Sequence, residues 1–336
     1  MPVSDAPAIA DQVVPAAPVL RIGTRSSELA LFQARQVQAA LAARGVTSEL
    51  ATYTTVGDRR LDQPLSAIGA KGLFTQELED DLLAGRVDCC VHSLKDLPTQ
   101  SPAGLEVVAH LEREDARDAL LLAPGVAATD LASLPAGALV GTSSLRRRAQ
   151  LLAARSDLRV ADLRGNVPTR VRKIDEGQVQ AAVLAAAGLH RLGMAARIAA
   201  YLEPPAWLPA AGQGAIAIQV RTDDEPLLEL FGSLDHPATT RAVAAERAFL
   251  GALEGGCQVP IGALAMPDGD GDGALLLHGL VASVDGGRVT RGALAVTPAD
   301  PALAGRELAT ALLAQGASDI LGALATARSL PAPQPE

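Results

Sequence analysis

The chain has 336 residues, 49% of them apolar and 20% charged, with a net charge of −9. That length exceeds one ordinary core and implies two or three domains, and the composition excludes a chain disordered throughout. No apolar run approaches the ~18 residues of a membrane span, and residues 1–18 hold acids and prolines where a secretory signal has a basic patch and a leucine run. They read as a disordered tail on a cytoplasmic protein. Of the three cysteines, Cys89 and Cys90 are adjacent and Cys257 stands alone, which fits reduced thiols rather than a disulfide framework or a CxxC site. The five histidines show no metal-ligand spacing, so no metal is expected.

After the tail, VLRIG reads as a short buried strand. Thr24-Arg25-Ser26-Ser27 opens a helix whose apolar positions Ala30, Ala34, Val37 and Leu41 share one face, with Gly45 as its stop. IGAKGLF, with Lys71 and Phe74, is a glycine-rich loop suited to cover a cleft, and a helix is expected from Thr75 to Gly85. VDCCVHSL is a buried strand running into Lys95-Asp96-Leu97-Pro98, where proline ends it. Strand ends of an α/β sheet feed the ligand crevice, which marks Lys95 and Asp96 as candidates. LEVVAHL is strand-like, EREDARD a charged linker, and DALLL resumes a sheet.

The grammar of the first unit then returns: ALVG as strand, Thr142-Ser143-Ser144 as turn and cap, LRRRAQLLAAR as helix. Two strand-Gly-Thr-turn-helix units, each with arginine at the turn, offer an anion two helix N-termini with free N–H groups. LRVADLRGN, a helix through Val167 to Glu176, and VQAAVLAAAGL continue the alternation of a parallel α/β domain. The proline-rich YLEPPAWLPAAGQG is a second linker, and GAIAIQV returns as a strand to complete the first domain. Its G-x-G-x-x-A pattern is followed by no helix, so a dinucleotide site is not expected. Expected bounds are 19–112 with 209–233, an inserted 113–208, and a separate α+β domain over 234–330. The last contains a helix ending at Gly255-Gly256, the strand of VPIGALAM, a hairpin around Asp285-Gly286-Gly287, and one helix from about Ala302 to Ala327. DGDGDG, between strands and lacking a terminal glutamate, is a solvated turn rather than a calcium loop.

Charge is unevenly placed. From Gly141 to Lys173 the chain holds nine basic residues against Asp157 and Asp162, a local +7 on a remainder of −16. Only Lys71, Lys95 and Lys173 are lysines, so the positive charge is nearly all guanidinium, matched to carboxylate or phosphate oxygens. With 2% aromatic residues and overall acidity, nucleic acid is a poor partner. A two-lobed binding protein for a polycarboxylate remains open on these features alone.

RIGTRSSELALFQA, GAKGLFTQELE, VHSLKDLP, EREDARDAL, VGTSSLRRRAQ, LRGNVPTR, LHRLG, LPAAGQGAIAI and AERAFLGALEGGCQVPIG together resemble the porphobilinogen deaminase (hydroxymethylbilane synthase) family, in order from about Val19 to Ala327. Departures are the tail, Phe32 where tryptophan is common, Glu28 where proline is common, and the DGDGDG insertion. The resemblance implies two lobes like type II periplasmic binding proteins and a small third domain. It implies a monomeric transferase joining four porphobilinogen molecules, with loss of ammonia, on a dipyrromethane cofactor held by a thioether to Cys257. It places the catalytic carboxylate on Asp96, the cofactor's carboxylates on Lys95, Ser144, Arg146, Arg147 and Arg164, and the incoming substrate on Arg25, Ser27, Arg170 and Arg191, with Phe74 and Gln213 nearby. Neither membrane nor nucleic acid is implied as a partner.

Overall fold

A computed structural model of the chain describes residues 19–55, 57, 75–253, 259–269 and 273–329. Lys71, Phe74 and Cys257, named from sequence, lie outside the described residues.

The first unit is β1 (Leu20–Arg25) and α1 (Glu28–Ala42), with Ser27 capping the helix and Ala34, Val37 and Leu41 on its buried face. Thr24 and Arg25 extend the strand instead of opening the helix. An edge strand that the sequence did not announce, β2 (Ser48–Tyr53), pairs parallel with β1. Then come α2 (Gln76–Leu83), β3 (Cys89–Ser93), a single 3₁₀ turn at Leu94–Asp96, and β4 (Leu105–His110). After the second lobe the chain returns as β10 (Ile216–Arg221), which runs antiparallel between β3 and β4, and α6 (Glu225–Gly232) closes over the sheet with Phe231 in its core. The strand order is β2-β1-β3-β10-β4.

The second lobe repeats this plan. β5 (Asp118–Leu122), β6 (Leu139–Gly141), β7 (Arg159–Ala161), β8 (Ala181–Ala185) and β9 (Ala200–Leu202) assemble in the order β7-β6-β8-β5-β9. β6 is parallel to both its neighbours, as β1 is, and β5 is the antiparallel insert, as β10 is. Parallel strands need crossovers, here α3 (Leu145–Ala154) and α4 (Val167–Asp175), while α5 (Ala186–Arg191) follows β8 directly. Apolar side chains cover both faces of this sheet, so β8 reads as a continuous apolar run with no alternation.

The third domain packs α7 (Pro237–Ala252) and α8 (Pro301–Leu312) on an antiparallel sheet of β11 (Ile261–Pro267), β12 (Leu275–Ala282) and β13 (Val289–Val296). Phe249, fully buried among them, contributes roughly 2 to 3 kcal/mol by leaving water. The single C-terminal helix expected from sequence is two: α8 passes through a π turn at Leu313–Ala317, with Gly316 at φ 103°, into α9 (Ser318–Ser329). By length and composition Pro301–Thr326 is long enough to cross a membrane and holds an 18-residue window with a mean hydropathy of 1.4, contrary to the expectation of no such stretch. Its apolar residues Ala304, Leu308, Leu312, Ala317 and Ile320 are packed in the domain core, and the kink divides it.

The segments joining the lobes are tied to the third domain rather than loose. Glu246 of α7, fully buried, accepts both Nη groups of Arg113 at 2.6 and 3.0 Å, the Gly212 N–H at 2.7 Å and the Ala265 N–H at 3.0 Å. It therefore grips the outbound segment, the return segment and β11 at once. The return segment, expected as a linker, begins in β9 and buries Trp207, Leu208 and Gln213. Gly214 crosses the outbound segment at φ 89°, where a Cβ would stand 2.3 Å from the Glu114 carbonyl oxygen. No L side chain fits there.

Lobe 1 also contains a buried histidine, His92, and a half-buried one, His110. His92 Nε2 lies 3.1 Å from Gln219 Oε1, and His110 Nδ1 lies 2.9 Å from Thr240 Oγ1. Burial pushes each ring down to about 4, and nearby Arg25 and Arg247 push the same way, against Gln219 and Asp235 respectively. Both rings stay neutral while the unfolded chain takes up protons below about 6.5, so stability present above that pH is lost progressively as pH falls toward about 4. Thermal melts from pH 7 to 4 should show this acid slope, and His92→Gln should flatten it.

Candidate functional site

β3 delivers the site. Its buried Cys89-Cys90-Val91-His92 run ends at Ser93, and the 3₁₀ turn brings Lys95 and Asp96, both half-buried, to the mouth of the crevice between the lobes. Arg25, at the end of β1, sets its Nη1 3.9 Å from Asp96 Oδ2. From the second lobe, α3 turns its N-terminus inward: Ser144 caps it by accepting the Arg147 N–H at 3.4 Å, and Arg147 and Arg146 follow on the first turn. Ser27 is the equivalent cap of α1, accepting the Ala30 N–H. Asn166 caps α4 in the same way, and α4 brings Arg170, whose Nε donates to the Gly165 carbonyl at 2.7 Å.

Lys95, Arg147, Arg170 and Arg191 line one cavity, beside Gln33 and Ser93, which are bonded to each other at 2.9 Å. The electrostatics mark the crowding. Burial pushes the Lys95 ammonium down to about 8, with Arg147 adding to it and Asp96 and Asp118 opposing. Burial likewise pushes Arg170 down to about 10, reinforced by Arg147 and Arg164 and opposed by Asp96. Cations held this close are destabilising until an anion joins them.

Behind the cavity stands a group that sequence reasoning missed. Asp118, the first residue of β5, is completely buried. Its Oδ2 accepts Arg146 Nη1 at 2.7 Å and the Trp207 indole N–H at 2.8 Å, and its Oδ1 accepts Arg147 Nη2 at 2.7 Å and Gln213 Nε2 at 2.9 Å. Burial alone would raise this carboxyl, but Arg146 and Arg147 more than offset it and hold it well below the usual carboxylate range. An acid heading an apolar strand, DALLL, was the available signal. Arg146 Nη1 also donates to the Leu208 carbonyl at 2.7 Å, so this guanidinium is buried behind the cavity, while Arg147 reaches its wall.

Gln213, on the return segment, bridges the lobes. Its Oε1 lies 3.3 Å from Lys95 Nζ and 3.5 Å from Arg147 Nη2, and its amide nitrogen is held by Asp118 and the Ala116 carbonyl. The structure thus brings Arg25, Lys95, Asp96, Arg147, Arg170, Arg191 and Gln213 to one crevice, with Arg164 near enough for its charge to act on Arg170. It puts Arg146 behind that crevice and Ser27 and Ser144 at helix caps beside it.

Two family models match the chain in order: porphobilinogen deaminase, dipyromethane cofactor binding domain, over residues 20–229, and porphobilinogen deaminase, C-terminal domain, over residues 240–314. Porphobilinogen deaminase of Roseiflexus castenholzii is 50% identical over 304 residues, covering 90% of this chain and 98% of its own. That of Moorella thermoacetica is 51% identical over 304 residues, covering 90% and 95%. Among solved structures, the methionine-binding protein MetQ aligns with 64% of this chain and 89% of its own at 15% identity and a TM-score of 0.42. Half-identity to relatives of matching length, with both family domains in sequence, shows that this chain belongs to the porphobilinogen deaminase family.

Proposed function

We propose that this chain is a transferase that joins four porphobilinogen molecules head to tail on a dipyrromethane primer, releasing ammonia at each addition and finally the linear tetrapyrrole hydroxymethylbilane. The observation that carries this reading is one half-buried carboxylate, Asp96, set at the mouth of a crevice lined with guanidinium groups from both lobes. Each pyrrole ring of primer and substrate brings an acetate and a propionate, and each charge-assisted contact to them contributes about 1.5 to 3 kcal/mol.

The donor set fits the primer. Lys95, Arg147 and Arg164, with the N-terminus of α3 capped by Ser144, would hold its carboxylates, while Arg146 orients the wall through Asp118. Cys257, which follows α7, would tether it by a thioether. When bound, the primer supplies the pyrrole carbon to which the first incoming ring is joined. Arg25, Arg170 and Arg191 would hold the arms of porphobilinogen, with Ser27, Phe74 and Gln213 beside them. The Asp96 carboxylate accepts the pyrrole N–H of porphobilinogen and balances the positive charge that develops as ammonia departs. Arg25, 3.9 Å away, pairs with this carboxylate and aims it. We assign the lobes to 19–112 with 209–233 and to 113–208, the tether to 234–330, and the chain to the cytoplasm as a monomer, where its buried free thiols Cys89 and Cys90 stay reduced.

Intact-mass measurement tests the reading directly: the purified chain should weigh more than its sequence by two pyrrole units, and Cys257→Ser should lose them. A polycarboxylate-binding protein would show neither. Asp96→Asn should retain the primer and lower kcat by about 100-fold or more, measured as porphobilinogen consumption. Lys95 is charged below about 8 and neutral above, so primer loading onto apo-protein should slow as pH rises through that value. Lys95→Arg, charged throughout, should remove the dependence.

A further inference from the structure

α5 ends in two neighbouring side chains that reach the crossing of the interlobe segments. Arg191 lines the cavity, and its Nη2 donates to the Gly214 carbonyl at 2.7 Å. That same carbonyl accepts the Glu114 N–H at 3.2 Å, so Glu114 is carried on the outbound segment directly beside Arg191. The proximity is felt electrostatically: burial lowers Arg191's hold on its proton, and Glu114 opposes the loss. A carboxylate so placed competes with any substrate carboxylate for this guanidinium.

His190 intercepts it. Its Nδ1 lies 3.1 Å from Glu114 Oε1, which also accepts the Asp115 N–H at 2.9 Å. Its Nε2 lies 2.9 Å from the Tyr201 hydroxyl, on β9 of the return segment, and the two rings meet edge to face. Tyr201 is in turn covered by the Arg117 guanidinium, 4.0 Å above its ring, and Arg117 is pinned by Asp115 and Glu203. The imidazole is thus clamped from one side and aimed at Glu114 from the other. A neutral ring satisfies both contacts, with Nδ1–H donating to Glu114 and the tyrosine hydroxyl donating to Nε2.

We propose that His190 is a positioning residue for substrate binding: it holds the Glu114 carboxylate away from Arg191, leaving that guanidinium available to a porphobilinogen carboxylate. The inference rests on the reading of Arg191 as a substrate contact. With His190 removed, Glu114 turns to the nearest cation, and Arg191 is neutralised in place.

Steady-state kinetics of the primer-loaded enzyme test this. Arg191→Ala should raise KM for porphobilinogen by about tenfold or more. His190→Ala should raise it comparably, with kcat and primer content little changed. His190→Gln, which keeps a donor toward Glu114, should restore KM. Glu114→Gln introduced into His190→Ala should restore it too, because the competing charge is gone. If Arg191→Ala leaves KM unchanged, the substrate role of Arg191 fails. If Arg191→Ala raises KM but His190→Ala does not, or if Glu114→Gln gives no rescue while the melting temperature of His190→Ala matches the parent, His190 has no positioning role.

Discussion

A completely buried carboxylate organises the crevice. Asp118 gathers two guanidinium groups from α3, the indole of Trp207 and the amide of Gln213, and so draws the N-terminus of a lobe 2 helix, the head of a lobe 2 strand and the return segment to one point. An ionised carboxylate in such a place is tolerated only because every oxygen is met by strong donors. Arg147 is left with Asp118 on one side and the cavity on the other. Its direction is therefore set by a group that touches no ligand.

Surplus positive charge is the second constraint. Buried Lys95 and Arg170 hold their protons less tightly beside Arg147, and Arg170 also beside Arg164, while Asp118 and Asp96, the latter paired with Arg25, are anions in that field. A polycarboxylate relieves that repulsion as it binds, which gives affinity without apolar enclosure. Such a field spreads over several residues, so a ligand that lengthens can exchange one guanidinium for the next. The lobes that hold these cations are joined through a crossing gripped by Glu246, Arg113 and the bare backbone of Gly214. The third domain thus grips the crossing that joins the lobes.

Much of this was legible in the residues. The two units built on Gly-Thr turns appear as β1-α1 and β6-α3, each capped by serine where the sequence expected it, because a cap is a local hydrogen bond between positions three apart. GAIAIQV entering the first sheet was readable from its unbroken apolar run. The edge strand β2 was not, since none of its residues is fully buried, Glu49 and Thr52 face solvent, and its alternation is weak. The break at Gly316 escaped notice because helical periodicity resumes on both sides of it.

By itself the amino-acid order determined the units, their caps, the arginine-rich stretch and the motifs that tie the chain to its family, all of which depend on neighbours along the chain. Only the tertiary structure decided which arginines face the cavity and which stand behind it. Arg146 and Arg147 are adjacent in sequence, yet one is committed to Asp118 and the Leu208 carbonyl, and the other is shared with the crevice. Glu114, Tyr201 and His190 likewise meet only because two segments distant in sequence cross at Gly214. Electrostatic partnership depends on distance through space, and a linear pattern does not contain that distance.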